Sequence, residues 1–179
     1  MIAYGAKQMA AAFRTVRNNT VQIAEDIPEN QYGWAPASGT RTIQSLLVHI
    51  AVSPSLHEDM HRVKRVTTLQ GYDFGALVAR MSAEEAKPRS KAGIIELLRT
   101  EGERFASWIE SLSADFLAET YTDPAGKNPK SRFEGLLSAK EHEMHHRGQL
   151  MVIERMLSIV PHLTRQMQER MAARTAASR

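Results

Sequence analysis

The stretch Glu141-His142-Glu143-Met144-His145-His146-Arg147-Gly148-Gln149-Leu150 decides how the chain is read. It holds three of the seven histidines, inside a segment from about Phe133 to Ile159 whose apolar residues recur every three or four positions. That period is helical, and Pro161 marks the end of the segment. On this helix the inward stripe runs Gly135, Ala139, His142, His146, Gln149 or Leu150, Ile153 and Leu157. His142 and His146 therefore stand one turn apart where apolar side chains are expected. A polar ring in a core needs a partner or costs stability. Two imidazoles on one face are a spacing that a metal ion can use, although two ligands do not make a firm site.

Working outward, the same period marks three further long helices. Ile2, Ala6, Met9, Phe13, Val16, Thr20, Ile23 and Ile27 place the first over residues 1–27, with Thr20 a weak position and Pro28 just past its end. The second spans about 42–67, capped by Thr40 or Thr42, with the stripe Leu46, His49, Ile50, Ser53, Leu56 and Met60. Pro54 falls inside it and predicts a kink or a local break. The third spans about 90–112 on Ile94, Leu98, Glu101, Phe105, Trp108 and Leu112. A short fifth helix is expected over about 163–173.

Residues 28–41 and 114–132 are rich in Pro, Gly, Asn and Asp and read as loops. Residues 68–88 are mixed, with a short helical turn near Phe74 to Met81. Trp34, in the first loop, is expected to pack down onto the helices. No segment shows sustained period-two alternation. The expectation is an all-α chain: one domain over 1–179, a four-helix bundle with long crossover connections and a short C-terminal helix.

Composition excludes several chemistries. There is no cysteine, so disulfides, thiolate metal sites, iron–sulfur clusters and a cysteine nucleophile are out. That fits a cytoplasmic protein. Lys7 and Gln8 interrupt the apolar N-terminal residues, so no signal peptide is read there, and no apolar run approaches a membrane span. The formal charge is +3, and residues 165–179 alone hold four arginines and one glutamate. A basic balance confined to one tail, without an aromatic-interleaved basic patch, makes nucleic acid an unlikely partner.

A third ligand comes from the second helix. His49 takes a core position between Leu46 and Ser53, and facing stripes in a bundle meet. His49, His142 and His146 would form a facial three-histidine set with open positions for water or substrate. His57 and His61 share the four-residue spacing but drift off the stripe of His49 and sit among Glu58, Asp59, Arg62 and Lys64, so they are expected at the surface. His145, one step off the inward stripe, is a hydrogen-bonding or supporting residue or a bystander. His162, after Pro161, is expected to be structural or solvated. Glu101 could orient a ligand histidine, act as a base, or pair with Arg147 or Arg104, but a slight rotation that lets it reach solvent is the plainer reading. Arg147 and Gln149 flank His146 and could anchor an anionic substrate or form an ordinary salt bridge, and a loop arginine such as Arg41 could equally hold a substrate carboxylate.

These residues resemble the DinB-like family of metal-binding four-helix bundles, and the resemblance spans nearly the whole chain. Its strongest parts are His142-Glu143-Met144-His145-His146-Arg147-Gly148-Gln149 and Leu46-Leu47-Val48-His49-Ile50-Ala51; the segment Trp34-Ala35-Pro36-Ala37-Ser38-Gly39 also matches. The Arg147-Gly148-Gln149 tail makes the match more specific than His-x-x-x-His alone. By position, the resemblance implies that His49, His142 and His146 bind a divalent ion, zinc or nickel first, with iron, manganese or copper as further options. It implies a homodimer acting on a small molecule. It also implies thiol-dependent S-transferase or isomerase chemistry, or hydrolysis, with a low-molecular-weight thiol such as bacillithiol or mycothiol as co-substrate. The alternative is a non-catalytic, stress-associated dimer with a structural or incidental metal. No residue is assigned as catalytic from sequence. Pro54, five residues after His49, departs from the uninterrupted helix that the family leads one to expect.

Overall fold

The computed structural model describes residues 4–177; the first residues of the expected N-terminal helix lie outside them. Helix α1 (Ala6–Asp26), α2 (Ile43–Val52), α5 (Lys91–Glu110) and α7 (Arg132–Met156) form the bundle. Helix α1 packs on α5 and α7, and α2 packs on the same two. Two apolar clusters fill the interior. One is built on Ile23, Ile43, Leu47, Ile50, Leu98 and Leu150. The other is built on Met9, Phe13, Phe105, Ile109 and Leu136. Trp34 packs against the first, as its position in an apolar-poor loop suggested.

Helix starts are fixed locally. Thr42 caps α2 on the Ser45 amide at 3.1 Å, and Ser90 caps α5 on Gly93 at 3.2 Å. Ser131 and Glu134 form a reciprocal capping box that starts α7. The connections are long, as expected. The α2–α5 crossover contains α3 (Ser55–His57), a π-helical segment (Glu58–Val63) and α4 (Phe74–Glu85). The α5–α7 connection is not a bare loop: it carries α6 (Ala114–Ala118) and a small antiparallel ribbon, β1 (Thr120–Tyr121) on β2 (Lys130–Ser131). Helix α8 (His162–Ala177) follows Pro161 and is longer than the expected short helix. Arg165, at its start, donates to Asp26 at 2.6 Å, so this tail arginine docks α8 onto α1.

The second expected helix is broken in two places. Pro54 has no amide hydrogen for the Ile50 carbonyl, and α2 stops at Val52. The chain resumes at α3, passes into the π-helical segment, and stops where Arg65 turns to φ +46, short of Thr67.

One buried ion pair joins all four bundle helices. Arg17 on α1 reaches Glu143 on α7 through Nε at 2.9 Å, and the two are only 3% and 2% exposed. The Arg17 Nη1 donates to the Leu98 carbonyl on α5 at 2.7 Å. Its Nη2 donates at 3.1 Å to the Ile50 carbonyl, the acceptor that Pro54 leaves without its helical donor. Thr20, the weak position of the first stripe, donates its hydroxyl to Glu143 at 2.8 Å. Gly102 makes the crossing possible: a Cβ there would stand 2.6 Å from Arg17 Cγ. The buried stripe of α7 is thus Leu136, Ala139, Glu143, His146, Leu150 and Ile153. Glu143 takes the core position next to His142, which is only half-buried. Anchoring Glu143 towards α1 turns His142 and His146 towards α2.

Candidate metal centre

Helix α2 presents His49 and α7 presents His142 and His146, and one ring nitrogen from each lies within 4.8 Å of the others. The converging atoms are the three Nε2. His49 Nε2 is 3.2 Å from His142 Nε2, and His146 Nε2 is 3.1 Å from it. Ligand nitrogens in a tetrahedral zinc shell, about 2.0–2.1 Å from the ion, stand about 3.3 Å apart. Those two spacings are close to that value, and the third pair lies within 4.8 Å.

The far sides of two rings fix which nitrogen faces inward. His49 Nδ1–H donates to a Glu85 carboxylate oxygen at 2.8 Å, and a carboxylate only accepts. His146 Nδ1–H donates to the Gln149 Oε1 at 2.8 Å. Both Nε2 atoms are thereby left as lone pairs pointing at His142, whose own Nε2 can offer a single proton to one of them. Three converging nitrogens with at most one hydrogen among them fit a cation. Carboxylate and amide support behind ligand histidines is the usual way that metal sites orient their imidazoles.

Both supports are themselves held. Glu85, at the end of α4, also accepts from Arg41 Nε at 2.9 Å and from the Ser45 hydroxyl at 3.3 Å. Burial raises the Glu85 carboxyl, but bonds from Arg41 and His49 outweigh it, and it stays below the usual carboxylate range. The Gln149 amide donates to His145 Nε2 at 3.1 Å. His145 is thus an exposed support for Gln149 and not a member of the triad. Burial lowers the pKa of all three triad imidazoles, that of His142 to about 4, with the neighbouring His146 and His49 adding to the effect there. Neutral imidazole is the form that binds metal.

Two cavities flank the triad. The outer cleft, about 790 Å³, is bordered by Arg41, Glu85, His146 and Gln149, with Leu46, Val152, Ile153 and Met156 as apolar wall. Pro36 and Gly39, from the segment that resembles the family before α2, form its rim. A second, smaller surface pocket of about 230 Å³ is bordered by His49 and His142.

Several expectations need correction. His57 and His61 are not surface residues: they are 8% and 0% exposed. The break at Pro54 and the π-helical segment reset the helical phase, so counting on from His49 gave the wrong face. Arg147 does not border the outer cleft; burial lowers the His162 imidazole, with Arg165 and then Arg147 adding to the effect, and His162 is bonded to Asn19 at 3.2 Å. The cation at the cleft is Arg41. Glu101 pairs with Arg104 at 3.2 Å, one of the readings that the sequence left open. Glu85 went unread in the sequence because its segment carried no clear helical stripe.

A model of the DinB superfamily matches residues 12–150. The chain belongs to the DinB superfamily. It is 24% identical over 149 residues to the uncharacterized protein YjoA of Bacillus subtilis (strain 168), covering 83% of this chain and 88% of that one. The crystal structure of YjoA, described as a DinB-like protein, aligns with a TM-score of 0.62 at 22% identity, over 84% of this chain and 92% of that one. YfiT from Bacillus subtilis aligns with a TM-score of 0.65 at 16% identity, over 86% and 88%. YfiT is described as a probable metal-dependent hydrolase with an unusual four-helix bundle topology. At these identities the neighbours establish the fold. The superfamily and the three-histidine group together fit binding of a divalent metal ion. None of the described helices is long and apolar enough to cross a membrane.

Proposed function

We propose that His49, His142 and His146 bind a divalent metal ion and that the protein is a metal-dependent enzyme of the thiol-dependent S-transferase type. The observation that carries this reading is the convergence of three Nε2 atoms, two of them fixed as lone pairs by Glu85 and Gln149. An ion held there lowers the pKa of a thiol or water and supplies a nucleophile near neutral pH.

The chain's own residues define the rest. Arg41 spends Nε and Nη2 on Glu85, leaving Nη1 for an anionic group of a ligand in the outer cleft. Leu46, Val152 and Met156 offer an apolar wall to the ligand's body. The cleft is of a size that takes small-molecule substrates, and it suits a small apolar or aromatic acid together with a low-molecular-weight thiol. Imidazole ligands suit zinc, nickel, copper and iron alike, and it is the family resemblance that puts zinc or nickel first.

Hydrolysis is the second reading, supported by the description of YfiT. A non-catalytic dimer with a structural ion is the rival. The bundle's interior is held by two apolar clusters and the Arg17–Glu143 pair, all independent of the triad. The account therefore expects a chelator to leave a folded protein, judged by circular dichroism, that has lost activity on thiol and electrophile pairs. Unfolding on metal removal would support the structural ion instead.

A further inference from the structure

The joint between α7 and α8 buries a carboxyl group that has no role in the reading above. Glu154, near the end of α7, is fully buried, and neither of its carboxylate oxygens has a hydrogen-bond partner. The chain turns sharply just beyond it: Ser158 takes φ +61, and Pro161 precedes α8. Helix α8 is held at its start. His162 is the one buried residue among its described positions. That histidine is bonded to Asn19 at 3.2 Å, and Arg165 is bonded to Asp26 at 2.6 Å.

Cations stand near Glu154, but their donors are committed elsewhere. Arg165 from α8 donates to Asp26 and to the Val160 carbonyl. Arg155, next to Glu154 on α7, donates to the Met151 carbonyl and to the Thr164 hydroxyl of α8, both at 3.1 Å. Asp26 from α1 brings a like charge. His162 from α8 leaves its Nδ1 enclosed without a partner, and burial lowers its pKa, so it brings no charge near neutral pH. Arg147, two turns earlier on α7, acts on His162. Burial, with Asp26 adding to it, pushes the Glu154 carboxyl up to about 7.

An ionised carboxylate is costly to bury without donors. It has to take Arg165 from Asp26, take Arg155 from Thr164, or admit water by opening the joint. Each route breaks a contact that holds α8. We infer that Glu154 is a proton-dependent latch: α8 docks on α1 while this carboxyl keeps its proton, and is released when it ionises. The latch does not depend on the metal centre, but it lies behind the cleft, because Val152, Ile153 and Met156 on the same turns of α7 wall the outer cleft. A carboxyl raised in the docked form supports docking fully below about 4.5 and loses that support as pH rises to about 7. His162, lowered in the docked form, acts the opposite way and favours release as pH falls below about 6.5.

Spin labels read docking directly in the full-length protein. The chain has no cysteine, so Thr15→Cys on α1 and Met171→Cys on α8, both at exposed positions, become its only labelling sites. Double electron–electron resonance then separates docked from released α8 by distance. Between pH 5.5 and 7.5 the released-to-docked ratio is expected to rise roughly ten-fold more in the labelled parent than in Glu154→Gln, whose amide cannot ionise. In Glu154→Gln only the response of His162 remains, so release is expected to fall over the same rise in pH. The same pH response in parent and variant overturns the inference, and so does a parent that shows the docked distance alone at every pH. If Glu154→Gln does not fold, Glu154→Met, which also lacks an ionisable group, takes its place.

Discussion

The chain contains two histidine pairs with the same spacing, and the structure uses them differently. His142 and His146 meet at 81° with centroids 4.5 Å apart, and His49 closes on both from the facing helix. His57 and His61 lie nearly parallel, 15° and 6.1 Å apart, and among the described residues no group able to hold a metal includes them. Behind the first pair and His49 stand Glu85, Gln149 and His145. Behind the second stands Arg132, whose Nη1 donates to His61 Nδ1 at 3.1 Å. A cation in that place disfavours a metal ion. The spacing itself does not make a ligand pair; a facing helix and acceptors behind the rings do.

The comparison breaks most visibly at Glu143, which sets the rotation of α7. Glu143→Leu leaves Arg17 as an uncompensated buried charge and is expected to cost about 3–5 kcal/mol. Urea unfolding with the linear extrapolation checks this. A loss below about 1 kcal/mol would show that apolar packing alone orients the triad.

The supports behind the ligands come next. Glu85→Ala and Gln149→Ala are each expected to weaken metal binding about 10–100-fold with little change in stability, as second-layer substitutions do. Competition against a chromophoric chelator measures it. His61→Gln is expected to leave metal affinity as it was, which is the other arm of the comparison.

Much of this was legible beforehand. The 3.6-residue period gave four helices and the C-terminal one. The resemblance at His142 to Gln149, together with His49, named the three residues that the structure brings together. What sequence left out is tertiary. Glu143 fits the stripe of α7 as well as His142 does, because steps of three and four admit both, and only Arg17 on another helix decides. Thr20, polar in an apolar stripe, was the one available signal. Glu85 comes from a segment without clear periodicity. His57 and His61 were assigned to the surface because a straight helix was extended past Pro54, where the phase is lost.

A smaller effect, shared by the two pairs, concerns pH. Burial lowers His57 to about 3, His61 to about 4 and His142 to about 4, all from an ordinary value near 6.5. With folded-state values depressed, the unfolded chain binds more protons in this range. The stability held above about pH 6.5 is therefore lost progressively as pH falls towards 4. His61→Gln removes one such group, so its apo-protein is expected to lose less stability between pH 7 and 5 than the parent. Thermal melts at the two pH values check it, and an equal loss in both proteins would place His61 outside the acid response.

The central claim is that one helix-two histidine completes a site begun on α7. The most direct measurement is the metal content of the purified protein beside that of His49→Ala, with His57→Ala as the matched control. The account predicts close to one divalent ion per chain in the parent and in His57→Ala, and almost none in a folded His49→Ala. Equal metal in His49→Ala and the parent would contradict it.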